Sequence, residues 1–153
     1  MPETDATSTD FASTSLARAA EVPVPQADAL AGRFPLTANP SPVAEDERTA
    51  VLRGLHFGNA FTDHMAHARW RQGEGWGDYG VIPYGSLSLS PAAAVLHYGQ
   101  EVFEGIKAYR HEDGSVWTFR PRYNAARLNA SARRMALPEL AEEDFVASLV
   151  DLV

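Results

Sequence analysis

The sequence has no cysteine, which excludes a disulfide scaffold, a thiolate metal site and a cysteine nucleophile. It has one lysine, Lys107, among thirteen basic residues, so lysine chemistry within this chain has a single candidate. No apolar run approaches the roughly 20 residues of a membrane-spanning helix. Positive charge is scarce too: twenty Asp and Glu against thirteen Lys and Arg leave a formal net charge of −7. That sign argues against a nucleic-acid or anionic-membrane partner, either of which calls for a basic face. There is no phosphate-binding glycine loop, no G-x-S-x-G elbow and no His-Glu-x-x-His pair, so three common chemistries lack their signatures.

What is present suits one domain. A chain of 153 residues, 45% hydrophobic and 22% charged, is long enough to bury about 68–70% of the surface it exposes when unfolded. The acidity is concentrated at the front. Residues 1–50 hold eight acids and three arginines, whereas residues 51–153 hold twelve acids, nine arginines and the lysine.

Residues 1–32, MPETDATSTDFASTSLARAAEVPVPQADALAG, are rich in Ser, Thr, Ala, Asp and Pro and have no apolar period. Such a stretch buries too little to offset its conformational entropy and is expected to be a disordered leader, with the domain proper over 33–153. It lacks the basic start and apolar core of a secretory signal, and its early acids do not fit a mitochondrial presequence, so the expected location is cytoplasmic.

Beyond the leader, FPLTANPSP reads as extended chain and Glu45 to Leu55 as a short helix. FTDHMAHARW and VIPYGSLSL (Val81 to Leu89) have strand composition, with Gly73, Gly75 and Gly77 around Trp76 marking the turn. GIKAYR and SVWTF flank His111-Glu112-Asp113-Gly114, the turn of a β-hairpin. Both arms carry apolar groups on both faces, so the hairpin is expected to be covered on both sides. Pro121 suits a helix start, and Leu128, Ala132 and Met135 form its apolar stripe. Pro138 ends that pattern. Phe145, Leu149 and Leu152 predict a last helix, with Glu142, Glu143 and Asp144 in its first turn where acids suit the dipole. Val153 interrupts this helix without a glycine cap or basic last turn, so the sequence reads as the front of a longer protein.

Site signals taken residue by residue are thin. His64 and His67 fall on opposite faces of a strand, which disfavours a shared metal, and no metal site is expected. Lys107 is compatible with a Schiff-base nucleophile, and equally with a strand lysine whose stem lies on apolar surface while its ammonium reaches water. Arg127 stands beside the apolar stripe, where its planar fork of donors suits a phosphate or is simply a surface charge.

The segments YGQEVFEGIKAYR and FRPRYNAARLNASARR, supported by FGNAFTDHM, GWGDYGVIPYGSLSL and FPLTANPSP, resemble the small N-terminal domain of branched-chain amino acid aminotransferases. These are fold-type-IV (D-amino acid aminotransferase-like) pyridoxal-phosphate enzymes, and the likeness is to their bacterial, actinobacterial-like version. It runs from Phe34 to Val153. It implies an α+β fold, an antiparallel sheet with flanking helices, and pyridoxal 5′-phosphate as cofactor. The implied activity is transamination between leucine, isoleucine or valine and 2-oxoglutarate, with their 2-oxo acids and glutamate as counterparts, in a homodimer.

By the same resemblance Arg127, in the N-x-x-R pattern, corresponds to the arginine that binds the cofactor phosphate. Phe57, Tyr98 and Phe103 correspond to the wall of the substrate side-chain pocket. An aromatic wall fits an aliphatic substrate, because it offers apolar area with little rotamer entropy to lose; the plain alternative for all three is core packing. The Schiff-base lysine of the family lies in a large domain beyond Val153, and Lys107 matches its non-catalytic EG-x-KA lysine. This chain therefore holds no catalytic lysine and is expected to be inactive alone. A non-catalytic dimerisation module, a D-amino acid aminotransferase and an aminodeoxychorismate lyase remain as alternatives, the last two disfavoured by FTDHM and HYGQEVFEG. Borohydride reduction of this chain with stoichiometric pyridoxal phosphate should leave the Lys107 peptide unlabelled beyond what a free lysine takes up, and leucine should not be transaminated; specific label on that peptide would overturn the assignment.

Overall fold

A computed structural model describes residues 27–153. Most of the expected leader lies outside the described residues, but its end needs correction. Ala27–Ala29 form a 3-10 turn and Leu30 is buried, so order begins before residue 33. QADALAG shows no apolar period, and a single leucine with distant partners is enough to fix it.

Among the described residues the architecture is α+β, with two separate two-stranded antiparallel sheets and flanking helices rather than one sheet. In chain order the elements are α1 (Glu45–Arg53), β1 (His64–Arg71), β2 (Gly75–Pro83), α2 (Ala94–Tyr98), β3 (Ala108–Arg110), β4 (Val116–Thr118), α3 (Pro121–Arg134) and α4 (Glu142–Leu152).

Strand β2 starts at Gly75, six residues before the Val81 start expected from composition. The reversal needs only residues 72–74: Gly73 takes φ 85° and Glu74 N–H donates to the Arg71 carbonyl at 3.1 Å. Trp76 is thereby freed to pair across the ladder with Trp70. The register slips between His67 and Arg69, where Asp78 and Tyr79 oppose Ala68. Asp78 sits there at φ 51°, a left-handed conformation that aspartate tolerates better than most residues. Its carboxylate accepts from Arg71 Nη2 at 2.6 Å, which ties the bulge to the opposite strand.

The other edge of β2 is occupied by the segment after the 3-10 turn. Thr37 N–H donates to the Val81 carbonyl at 2.8 Å, and Val81 N–H to the Pro35 carbonyl at 3.0 Å. This parallel bridge between Leu36 and Val81 leaves Val81 only 2% exposed. Leu30, Phe34, Val81 and Ala147 form the core, with Ala66, Ala68, Tyr79, Val146 and Leu152 packed on it.

Helix α4 organises that core through Asp144, Ala147 and Asp151, which recur at i, i+3 and i+7 and so share one face. Ala147 is fully buried. Asp151 accepts backbone N–H groups from Gly32 at 2.7 Å and Phe34 at 2.8 Å. Asp144 accepts from Arg33 Nη1 at 2.9 Å and from the Tyr79 hydroxyl at 3.0 Å. The Tyr79 ring meets Phe34 edge-on, with centroids 5.1 Å apart. The last helix predicted from Phe145, Leu149 and Leu152 is present; these three are half-buried, and Leu152 packs on the core.

Helix α3 begins at Pro121 as expected and packs against α4, with Ala125 and Ala132 as its buried residues. Asn129 fixes the link between the helices by exchanging two hydrogen bonds with the backbone of Leu140, at 2.7 and 3.0 Å. The β3–β4 hairpin has its expected turn, with Gly114 at φ 84°. Its coverage does not match expectation: Tyr109, Trp117 and Phe119 are 55%, 62% and 77% exposed, so no described element lies over them.

Asp151 is the most testable of these contacts. Asp151→Ala strands two backbone donors and should lower the unfolding free energy of the intact protein by about 2 kcal/mol in a urea titration. Asp151→Asn, which keeps one acceptor, should cost less.

Candidate functional site

The two sequence patterns singled out above lie against each other. The stretch from Gln100 to Gly105 runs along α3. At one end the Gln100 amide donates to the Met135 carbonyl at 2.9 Å, and at the other the Asn124 amide donates to the Gly105 carbonyl at 3.0 Å. Asn124 and Arg127, the two ends of N-x-x-R, are three residues apart on the helix and so present their side chains on one face.

Both side chains meet on Glu104. Arg127 Nε donates to Oε2 at 2.7 Å, and Arg127 Nη2 donates to Oε1, making a two-point pair. Oε1 also accepts from Asn124 Nδ2 at 3.0 Å and from Gly105 N–H at 2.9 Å. The partners differ sharply in exposure: the Glu104 side chain is 4% exposed and that of Arg127 56%. The carboxylate is thus a buried floor on which an outward-reaching guanidinium is mounted. Hydrogen bonding from Arg127, reinforced by Asn124 and Gly105, overcomes the desolvation of Glu104 and pulls its carboxyl down to about 2. The same pair raises the Arg127 guanidinium further above its ordinary value.

Of a guanidinium's five N–H donors, Glu104 engages one on Nε and one on Nη2. Nη1 has no hydrogen-bond partner among the described residues. This donor set suits an anion with several oxygens, and a phosphate meets that requirement. The site therefore fits the phosphate end of the cofactor implied by the resemblance.

Arg127 and Phe103 line one open depression of about 460 Å³, together with Glu101, Val102, Ala130, Ser131, Arg134 and Met135. Phe57 and Tyr98 do not line it. None of the three aromatic residues is in the core, because Phe57, Tyr98 and Phe103 are 97%, 85% and 80% exposed. Among the described residues, therefore, none of the three packs in the core. Tyr98 ends α2, just before Gly99 in the left-handed conformation at φ 58°, and Phe103 follows on the stretch that runs along α3.

Lys107 lies just before β3, outside the strand, and is exposed. His64 Nε2 accepts from Asn39 N–H at 3.1 Å, and His67 Nδ1 contacts the Asp78 carbonyl at 3.2 Å. Each histidine has its own structural partner. Sequence reasoning missed Glu104 and Asn124. The available signal was an acid set between Phe103 and Gly105, since a carboxylate in apolar company requires a cation or several donors nearby.

The Glu104–Arg127 pair has a definite pH signature. A depressed folded-state pKa contributes stability that is present above the ordinary carboxylate range and is lost as pH falls through about 2. Carboxyl carbon resonances of Glu104 should therefore remain those of the ionised form at pH 4, and a midpoint in the ordinary range would refute the pair.

No protein-family model matches the chain, but curated proteins do. It is 52% identical to the branched-chain-amino-acid aminotransferase of Mycolicibacterium smegmatis over 120 residues, which are 78% of this chain and 33% of that protein. It is 52% identical to the probable branched-chain-amino-acid aminotransferase of Streptomyces coelicolor, over 73% of this chain and 31% of that protein. The mitochondrial branched-chain-amino-acid aminotransferase of Saccharomyces cerevisiae is 43% identical over 76% of this chain and 28% of its own length. The chain thus spans about a third of the length of the curated relatives it matches. The resemblance carried by YGQEVFEGIKAYR and FRPRYNAARLNASARR is borne out: over some three-quarters of its length, this chain is a homologue of the branched-chain-amino-acid aminotransferases.

Proposed function

We propose that this chain is the N-terminal small domain of a fold-type-IV branched-chain amino acid transaminase. The reaction moves an amino group between leucine, isoleucine or valine and 2-oxoglutarate, with pyridoxal 5′-phosphate as cofactor, in a cytoplasmic homodimer. The observation that carries this reading is the extended identity to enzymes of that name. The donor set of Arg127 and the exposure of the aromatic residues fit it independently.

Within this reading the residues divide the work. Arg127 holds the cofactor phosphate through the donors that Glu104 leaves open. Phe57, Tyr98 and Phe103 supply apolar wall to the aliphatic side chain of the substrate, which needs enclosure from water more than directed bonds. Tyr98 adds a hydroxyl able to orient a neighbouring polar group. The cofactor, when bound, supplies the electron sink that makes amino-group transfer feasible. The lysine that handles the proton in this chemistry is not assigned to any residue of this chain, since Lys107 is exposed and its EG-x-KA segment matches the non-catalytic position.

Phe103 stands beside Arg127 in the open depression, and Phe57 and Tyr98 are exposed and available to a site whose other walls come from elsewhere. The β3–β4 hairpin, with Tyr109, Trp117 and Phe119 exposed, fits the same picture. So large an apolar display is costly unless something covers it.

The intact protein carrying this chain should transfer the amino group of leucine to 2-oxoglutarate. Arg127→Ala in that protein should lose pyridoxal phosphate on dialysis, with cofactor content read from its absorbance. Undiminished retention would remove Arg127 from the phosphate site.

A further inference from the structure

An acid is an unexpected neighbour for a phosphate site, because it repels the ligand and occupies the arginine meant to bind it. Glu104 is nonetheless the most constrained side chain in the region. It is buried, its Oε1 accepts from Asn124, Gly105 N–H and Arg127, and its Oε2 accepts from Arg127 Nε. Three of these donors belong to the N-x-x-R face, and the fourth is the backbone of the next residue. The two donors that do not belong to Arg127, the Asn124 amide and Gly105 N–H, both hold Oε1, so Glu104 keeps its place independently and its partner conforms to it.

An exposed arginine left to itself samples many rotamers, and an anion that binds it must bear the entropy of choosing one. The two-point contact with Glu104 makes that choice in advance. It fixes the plane of the Arg127 guanidinium and the direction of Nη1 before any ligand arrives. We propose that Glu104 is a positioning residue for Arg127, orienting its unengaged N–H donors toward the cofactor phosphate, with Asn124 holding Glu104 in place. This rests on the reading of Arg127 as the phosphate-binding arginine. The other charged groups lining the depression are Glu101 and Arg134. Neither has a hydrogen bond to Glu104 or Arg127 among the described residues, so the pair is governed by its own contacts. Because the Glu104 carboxyl stays ionised down to about 2, the arrangement persists throughout the neutral range.

A double-mutant cycle on the intact protein tests this. The apo forms of the parent, Glu104→Gln, Arg127→Ala and the double variant are titrated with pyridoxal phosphate, and the dissociation constant is measured for each. Glutamine keeps the size of Glu104 but offers one acceptor and an amide that opposes the guanidinium donors. Glu104→Gln should weaken binding about tenfold, the value of one well-aimed charge-assisted hydrogen bond. In the Arg127→Ala background the same change should cost nothing more. The phosphorus resonance of the bound cofactor should also shift in Glu104→Gln toward its position in Arg127→Ala.

A further tenfold loss in the double variant would show that Glu104 acts independently of Arg127, and would overturn the proposal. Equal or tighter binding by Glu104→Gln would overturn it as well, since the acid would then only weaken the arginine. Parent affinity in Arg127→Ala removes the phosphate reading itself, an outcome distinct from the other two. Glu104→Asp, which keeps the charge and shortens the reach, passes through the same cycle if the glutamine variant fails to fold. It should give a smaller loss that also vanishes without Arg127.

Discussion

The described fold depends on how closely helix α4 approaches the β1–β2 hairpin, and the side chain that permits this is a methyl group. Ala147 is fully buried at the core, with Asp144 and Asp151 one turn away on either side of the same face. A larger residue would hold the helix off and break the reach of both carboxylates at once. Those carboxylates hold Arg33, Tyr79 and the backbone of Gly32 and Phe34. Apolar burial and hydrogen bonding are therefore not separate contributions here, because the small residue brings the two acids within range. A net hydrogen bond is worth only about 1 kcal/mol, yet those to Gly32, Arg33 and Phe34 each close the chain across more than a hundred residues.

The same economy of small core residues appears in α3, whose buried positions are Ala125 and Ala132. Large apolar residues are correspondingly displaced to the surface, among them Phe57, Tyr98, Phe103, Trp117 and Phe119. In a self-sufficient domain these would be the expected core. Their exposure agrees with a polypeptide that spans a third of its relatives' length.

Element type was legible in the sequence wherever one local signal sufficed. Pro121 opened α3, the acids at 142–144 opened α4, and Asp113-Gly114 turned the second hairpin. The errors arose where the deciding partner was remote. Leu30 and Gly32 read as leader because the residues that fix them lie at the far end of the chain. On α4 the spacing of Phe145, Leu149 and Leu152 announced the helix, but large apolar groups cannot reveal that its fully buried contact is an alanine flanked by two bound carboxylates. Strand β2 was placed too late because glycines at 73, 75 and 77 look like one turn, although only the first lies within it. At the site, Arg127 was legible by resemblance alone. Glu104 needed the fold, because nothing in FEG announces that α3 will lay Asn124 and Arg127 across it.

The depression beside Arg127 is lined by Glu101 and Arg134 as well, and Glu104 lies directly beneath its guanidinium. These two acids and two arginines balance, so beyond roughly 10 Å, about a Debye length in dilute salt, they contribute almost no net charge. These four groups by themselves therefore give no excess of positive charge to draw an anion inward from solution. An anion would be recognised only on arrival, by donors already aimed at it. Capture there would then be slow to feel ionic strength and quick to feel geometry, the reverse of a site that works by electrostatic attraction at a distance.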